Sequence, residues 1–146
     1  QMCIRDSDWN RGADGSLTGT VQAQANGVFI EYGTILLAKA TISGTGNSTS
    51  EDNAAASSNG LAAMIHLTAF SGTNYTATIQ DSTNNICFCT LKAFAQITAV
   101  NKTERVTVGG TVGRYLRVNH AGTFSSVDVI VATRRGTSLD VEGGGY

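Results

Sequence analysis

The chain has 146 residues, 14% of them charged, with 17 Gly, no Pro and a formal net charge of −1 at pH 7. So low a charged share excludes a disordered charged tail and a coiled coil. The near-neutral balance excludes a dedicated nucleic-acid binder, which needs a surplus of Lys and Arg. The length is one domain's worth, enough to bury about two-thirds of the unfolded surface.

The opening Gln1-Met2-Cys3-Ile4-Arg5-Asp6-Ser7 resembles translated sequencing-adaptor read-through at the start of a metagenomic reading frame. Residues 1–7 are therefore set aside as artefactual, and the chain is expected to be a fragment of a longer parent. No apolar run approaches the ~20 residues of a membrane-spanning helix, so no membrane partner is expected.

Residues 16–25 alternate strictly. Leu17, Gly19, Val21, Ala23 and Ala25 share one face, and Ser16, Thr18, Thr20, Gln22 and Gln24 share the other. That period predicts a half-buried strand. Asn26-Gly27 signals a turn, and Val28–Tyr32 can begin a partner strand. Residues 8–42 thus read as remnant strands of a preceding β domain. From 43 to 60 the composition turns to Ser, Gly, Asn, Thr and Ala, which predicts a linker or one weak edge strand near 49–54.

Beyond Gly60 the β pattern is dense. Leu61, Ala63, Ile65, Leu67 and Ala69 line one strand face, Ser71-Gly72-Thr73-Asn74 reads as a turn, and Tyr75, Ala77 and Ile79 alternate with Thr76, Thr78 and Gln80. Asp81–Asn85 supplies another turn through its Asx and Ser side chains. Strands are then expected at 94–100, 104–108, 114–119 and 127–133, separated by Asn101-Lys102, Gly109-Gly110 and His120-Ala121-Gly122. Short strands at this spacing, with no sustained helical stripe, predict an all-β fold: an antiparallel β-sandwich, jelly-roll or Ig-like, over 61–135. Its expected core is Leu61, Ile65, Leu67, Ile79, Val106, Val108, Leu116, Val118, Val129 and Val131. Residues 136–146 read as a flexible tail.

Little chemistry is legible. Cys87-x-Cys89 would place two thiols on one face of a strand, but structural zinc wants four ligands, and a pair of small, part-buried side chains is the simpler reading. His66 sits in an alternating strand and His120 in the expected turn, neither with a carboxylate at ligand spacing. Asp81, Glu104, Asp128, Asp140 and Glu142 are scattered, and G-x-S-x-G is absent. Gly109–Gly113 lacks the Gly-Lys-Ser/Thr and following helix of a phosphate loop. Arg134-Arg135, the one adjacent basic pair, reads as a solvated strand end, and the sequons at Asn47, Asn74 and Asn101 are no more than a Ser/Thr-rich chain yields by chance. No catalytic residue, metal site or cofactor is assigned, and no enzyme is expected.

Residues 11–27, from Arg11-Gly12-Ala13-Asp14-Gly15 to Ala25-Asn26-Gly27, resemble a segment of tailed-phage tail proteins of the tail-tube (major tail protein) type. So, in order and spacing, do Gly60–Ala63, Thr68–Thr73, Ile79–Ser82, Gly110–Val118 and Gly122–Ser126, the resemblance covering about 8–136. Asn85–Thr90, with two thiols and no acid, departs from that pattern, and most of the tube domain is missing. The resemblance implies a bacteriophage virion structural protein: a decorating domain appended to a tail protein, whose partners are other tail subunits and the host surface. Ile79–Ser82 and Arg114–Val118 are also similar to galactose-binding-like jelly rolls, so the alternative is a carbohydrate-binding module for a host-surface glycan. Tyr75, Phe88, Tyr115 and Phe124 are its candidate aromatics, with placement in the core as the simpler reading.

Overall fold

A computed structural model describes residues 2–11, 17–25 and 33–136. The chain divides into two compact units, Gln1–Tyr32 and Gly33–Tyr146.

In the first unit, β1 (Met2–Arg11) and β2 (Leu17–Ala25) pair antiparallel, from Met2 opposite Ala25 to Arg11 opposite Leu17. The alternating stretch is a strand, and its partner is the segment before it. Residues 2–7, set aside above, lie within that partner. The turn at Asn26-Gly27, the strand expected from Val28 and the tail beyond Gly136 lie outside the described residues.

The second unit holds β3 (Thr34–Ile42), β4 (Gly46–Asn47), β5 (Glu51–Asp52), β6 (Leu61–Ser82), β7 (Cys89–Ala93), β8 (Lys102–Val108) and β9 (Tyr115–Arg135). They form one open antiparallel sheet in the order β3-β9-β6-β7, with β4 and β5 also on β9 and β8 also on β6. The all-β, sandwich-like fold is as the sequence predicts. The boundary differs: β3 pairs with β9 from Thr34–Thr133 to Ile42–Val127, so 34–42 belongs to the sandwich sheet rather than to the preceding strands. Residues 43–60 run along the β9 edge as two very short strands.

Two strands organise everything else. β6 and β9 run 22 and 21 residues, several times the usual strand length, and pair with each other throughout. One half of the sheet joins β3, 127–135, 61–70 and β8; the other joins β4 and β5, 115–123, 74–82 and β7. Leu61, Ile65, Leu67, Val127, Val129 and Val131 of the first half are buried, as are Tyr75, Ala77, Ile79, Leu116 and Val118 of the second. With no helical layer among the described residues, two inward faces this dry cover one another. Each such aliphatic side chain contributes about 1.5–3 kcal/mol of burial. Eight of the ten expected core residues are buried, while Val106 and Val108, on the edge strand β8, pack partly exposed against the cluster.

Neither Ser71–Asn74 nor His120–Gly122 reverses the chain. Both are bends in continuous strands, where the register shifts near Leu67/Ala69, Ser71/Gly72 and Gly72/Asn74. Each bulge adds one unpaired residue, which increases local twist and bend. On β9 the buried set changes from Leu116, Val118 and His120 to Val127, Val129 and Val131, an even-to-odd switch across the bend. Glycine is required there. A Cβ on Gly72 (φ +155°) would come within 2.4 Å of Phe124 Cα, and one on Gly122 (φ +124°) within 2.5 Å of the Asn74 carbonyl oxygen.

The strand expected at 94–100 does not form. Phe94 donates its N–H to Ala77 and Ile97 exchanges two backbone bonds with Tyr75, so this stretch caps the β6 edge with single contacts. The neighbouring strand is β7, which ends at Ala93, just before this stretch.

Candidate functional site

Ile42 ends β3 on the first half of the sheet, and Gly46 begins β4 on the second. Ser43-Gly44-Thr45 therefore crosses the lateral opening between the halves. Beside it lies a pocket of about 630 Å³, wide open to solvent. Leu36, Leu37, Ala38, Thr41 and Ile42 of β3 line it together with the run Ser43–Thr49 and His120, and no Asp, Glu, Lys or Arg does.

His120 stands on β9 opposite Gly46 of β4 and Ala77 of β6, and is 3% exposed. Its Nδ1 is 2.8 Å from the hydroxyl of Tyr75, which is wholly buried two residues before Ala77 on β6. The two rings stack at 6.0 Å, and Phe124 meets Tyr75 edge-on at 5.2 Å. Burial lowers the His120 pKa, which favours the neutral imidazole, and burial raises that of the Tyr75 phenol. A neutral imidazole has one donor and one acceptor nitrogen, and Tyr75 takes Nδ1 in either tautomer. Nε2 is left buried without a hydrogen-bond partner. Of the two histidines that the sequence puts forward, this one is a core residue and not a turn residue. His66 is the exposed one, its Nδ1 2.7 Å from Thr103 Oγ1.

A second cluster lies at the end of the sandwich where β5, β9 and the loop after β6 meet. Arg114 forms a two-bond ion pair with Asp52, both distances 2.6 Å, and its guanidinium lies 5.0 Å from the Tyr115 ring centroid. The hydrogen bond from Arg114 holds the Asp52 carboxyl down at about 2. Arg117 sits 3.9 Å from the Phe88 centroid, with Nε donating to Gln80 at 2.8 Å. Of the four candidate aromatics, then, Tyr75 is core, while Phe88 and Tyr115 each face an arginine.

The thiols are not part-buried on one strand face. Cys87 and Cys89 are both exposed and free, and only Cys89 lies in β7. Asn84 Oδ1 accepts from the N–H of Ile86 at 3.0 Å and of Cys87 at 3.1 Å, which holds this bend off the ladder. Among the described residues no three of His, Cys, Asp and Glu gather as a metal site. Asp81 accepts from Gly113 N–H at 2.7 Å, Glu104 from Ala95 N–H at 2.8 Å and Asp128 from Thr41 at 2.6 Å, three separate places. Asp140 and Glu142 lie outside the described residues. The sequon residues Asn47 and Asn74 spend their side-chain oxygens on Asn119 and on the Thr123 N–H, and Asn101 holds φ 57° in a turn.

Arg135 is no solvated strand end either. Its guanidinium donates to the carbonyls of Ala55, Val112 and Gly113, reaching from the last residue of β9 to the loop that begins it. This closes the two halves of the folded sheet at one end.

The site that sequence reading missed is the pocket beside 43–49. Its one sequence signal is that His120 continues the alternation of Leu116 and Val118, which turns it inward. No family model and no curated protein matches the chain.

Proposed function

We propose that this chain is a virion structural protein fragment: a decorating domain of a tailed-phage tail protein, without catalysis, that associates with other tail subunits through its parent. The sequence resemblance over about 8–136 supplies the family. The observation that carries the reading is the self-closure of the second unit, whose long strands fold over one core and are tied at their ends by Arg135. A body that buries its own core can be appended to a tube-forming domain and project from it without borrowing a strand. Mixed Arg-aromatic surface at the β5–β9 end is the kind of face such a domain presents outward.

Immunogold electron microscopy tests this directly. An antibody raised against residues 33–136 should label the tails of virions whose genome encodes the chain. Intact virions that contain no such polypeptide by mass spectrometry would overturn the reading.

A further inference from the structure

We propose that Cys87 and Cys89 are a disulfide-exchange site: they close reversibly into an intrachain disulfide by exchange with a low-molecular-weight disulfide, and closure lifts Phe88 from Arg117.

Access comes first. Both thiols are exposed and free, and one residue separates them. Exchange needs a thiolate that a small disulfide can reach, and a second thiol beside it to resolve the mixed disulfide. Both conditions hold here. A metal would need more, and among the described residues no third Cys, His, Asp or Glu joins the pair.

Each thiol is anchored on its own side of Phe88. Cys87 donates its N–H to Asn84 Oδ1 at 3.1 Å, and Asn84 in turn donates its N–H to Oγ of the buried Ser82 at 3.2 Å. Cys89 opens β7 opposite Asp81 of β6. A disulfide brings its two Cα atoms to about 4.4–6.8 Å, whereas two steps of extended chain span roughly 6.6–7.2 Å. Cys87 ends the bend after β6, so the span shortens by folding the backbone at residue 88. The Phe88 ring centroid lies 3.9 Å from the Arg117 guanidinium carbon, and Arg117 Nε donates to Gln80 at 2.8 Å. Folding at Phe88 carries the ring off that cation. A link closed against two anchors is strained, and strained, exposed disulfides are the readily reduced ones. Neither thiol belongs to the hydrophobic core, which closure leaves in place.

The exchange balances. One cysteine thiolate attacks a sulfur of R–S–S–R and expels R–S⁻, leaving a mixed disulfide. The other thiolate attacks the protein sulfur of that bond and expels the second R–S⁻. The two cysteines lose two electrons and two protons, and the small disulfide gains them as two thiols. Excess thiol reverses both steps.

The test uses the full chain in a Cys3→Ser background, reduced, freed of reductant and mixed at low micromolar concentration with oxidised glutathione. Mass spectrometry after acid quenching should show loss of both free thiols, a link between Cys87 and Cys89, a monomer and no retained glutathione. Excess reduced glutathione should restore both thiols. In ¹⁵N spectra the Arg117 Nε–H resonance and the 86–90 amides should shift on closure, while those of Ile65 and Leu116 stay still. Cys87→Ser and Cys89→Ser should each stop at the mixed disulfide and retain one glutathione. Glutathione adducts or a disulfide-linked dimer as the end product of the two-thiol chain would overturn the proposal. So would a closed link that leaves the Arg117 Nε–H resonance unmoved.

Discussion

The Tyr75 hydroxyl and His120 Nδ1 stand 2.8 Å apart inside the sandwich, joining β6 to β9 by a side-chain bond beside the bend. Forty-five residues separate them in sequence, and both are more than nine-tenths buried. Removing the hydroxyl while keeping the ring leaves both imidazole nitrogens without a partner. Tyr75→Phe should therefore destabilise the second unit by about 1–3 kcal/mol, the usual consequence of orphaning a buried polar group. Urea denaturation followed by fluorescence measures it. A change below a few tenths of a kcal/mol would mean that the bond is not formed in solution.

The same histidine sets a pH response. Its folded-state pKa is lowered by burial from the ordinary 6.5, so below that value the unfolded chain binds the proton more readily. Stability is then complete above about pH 6.5 and declines as the pH falls through and below it. Denaturation midpoints at pH 7.5 and 5.5 should differ in that direction, and His120→Phe should flatten the difference. Asp52 acts in a lower window, because its depressed carboxyl pKa gives a contribution lost only as the pH falls from 3.8 towards 2.

Gly122 and Gly109 are both glycines of the second unit, yet they should respond oppositely to alanine. At Gly122 the added carbon meets the Asn74 carbonyl oxygen at 2.5 Å with φ at +124°. Gly122→Ala should lose about 1–3 kcal/mol through backbone strain at the bend. At Gly109 the added carbon meets nothing, and Gly109→Ala should be neutral or stabilising by up to about 1 kcal/mol, through the unfolded chain's reduced freedom. Equal effects at the two sites would contradict the bent-strand geometry.

Cys87 and Cys89 should titrate with a thiol reagent in the native protein as fast as in denaturant, because both are exposed. In a Cys3→Ser background two equivalents are expected before unfolding. Slow or fractional labelling, or zinc that copurifies and is lost on Cys87→Ser with Cys89→Ser, would place these thiols in a site.

Period-2 alternation was enough to identify an all-β chain, because a strand facing one core must alternate apolar and polar side chains. It named most of the core as well: Leu61, Ile65, Leu67, Ile79, Leu116, Val118, Val129 and Val131 are buried. It could not tell a bend from a turn. Gly72 and Gly122, with the phase change between Val118 and Val127, look in sequence like chain reversals, and only pairing across the sheet reveals continuous strands. For the same reason His120 reads in sequence as a loop residue. Its burial follows from β9 running on through it in the phase of Leu116 and Val118, and the pocket it borders follows from β3 and β4 joining opposite halves of one sheet. Local alternation is written residue by residue, whereas the meeting of positions 36, 44, 75 and 120 exists only once the sheet has folded over itself.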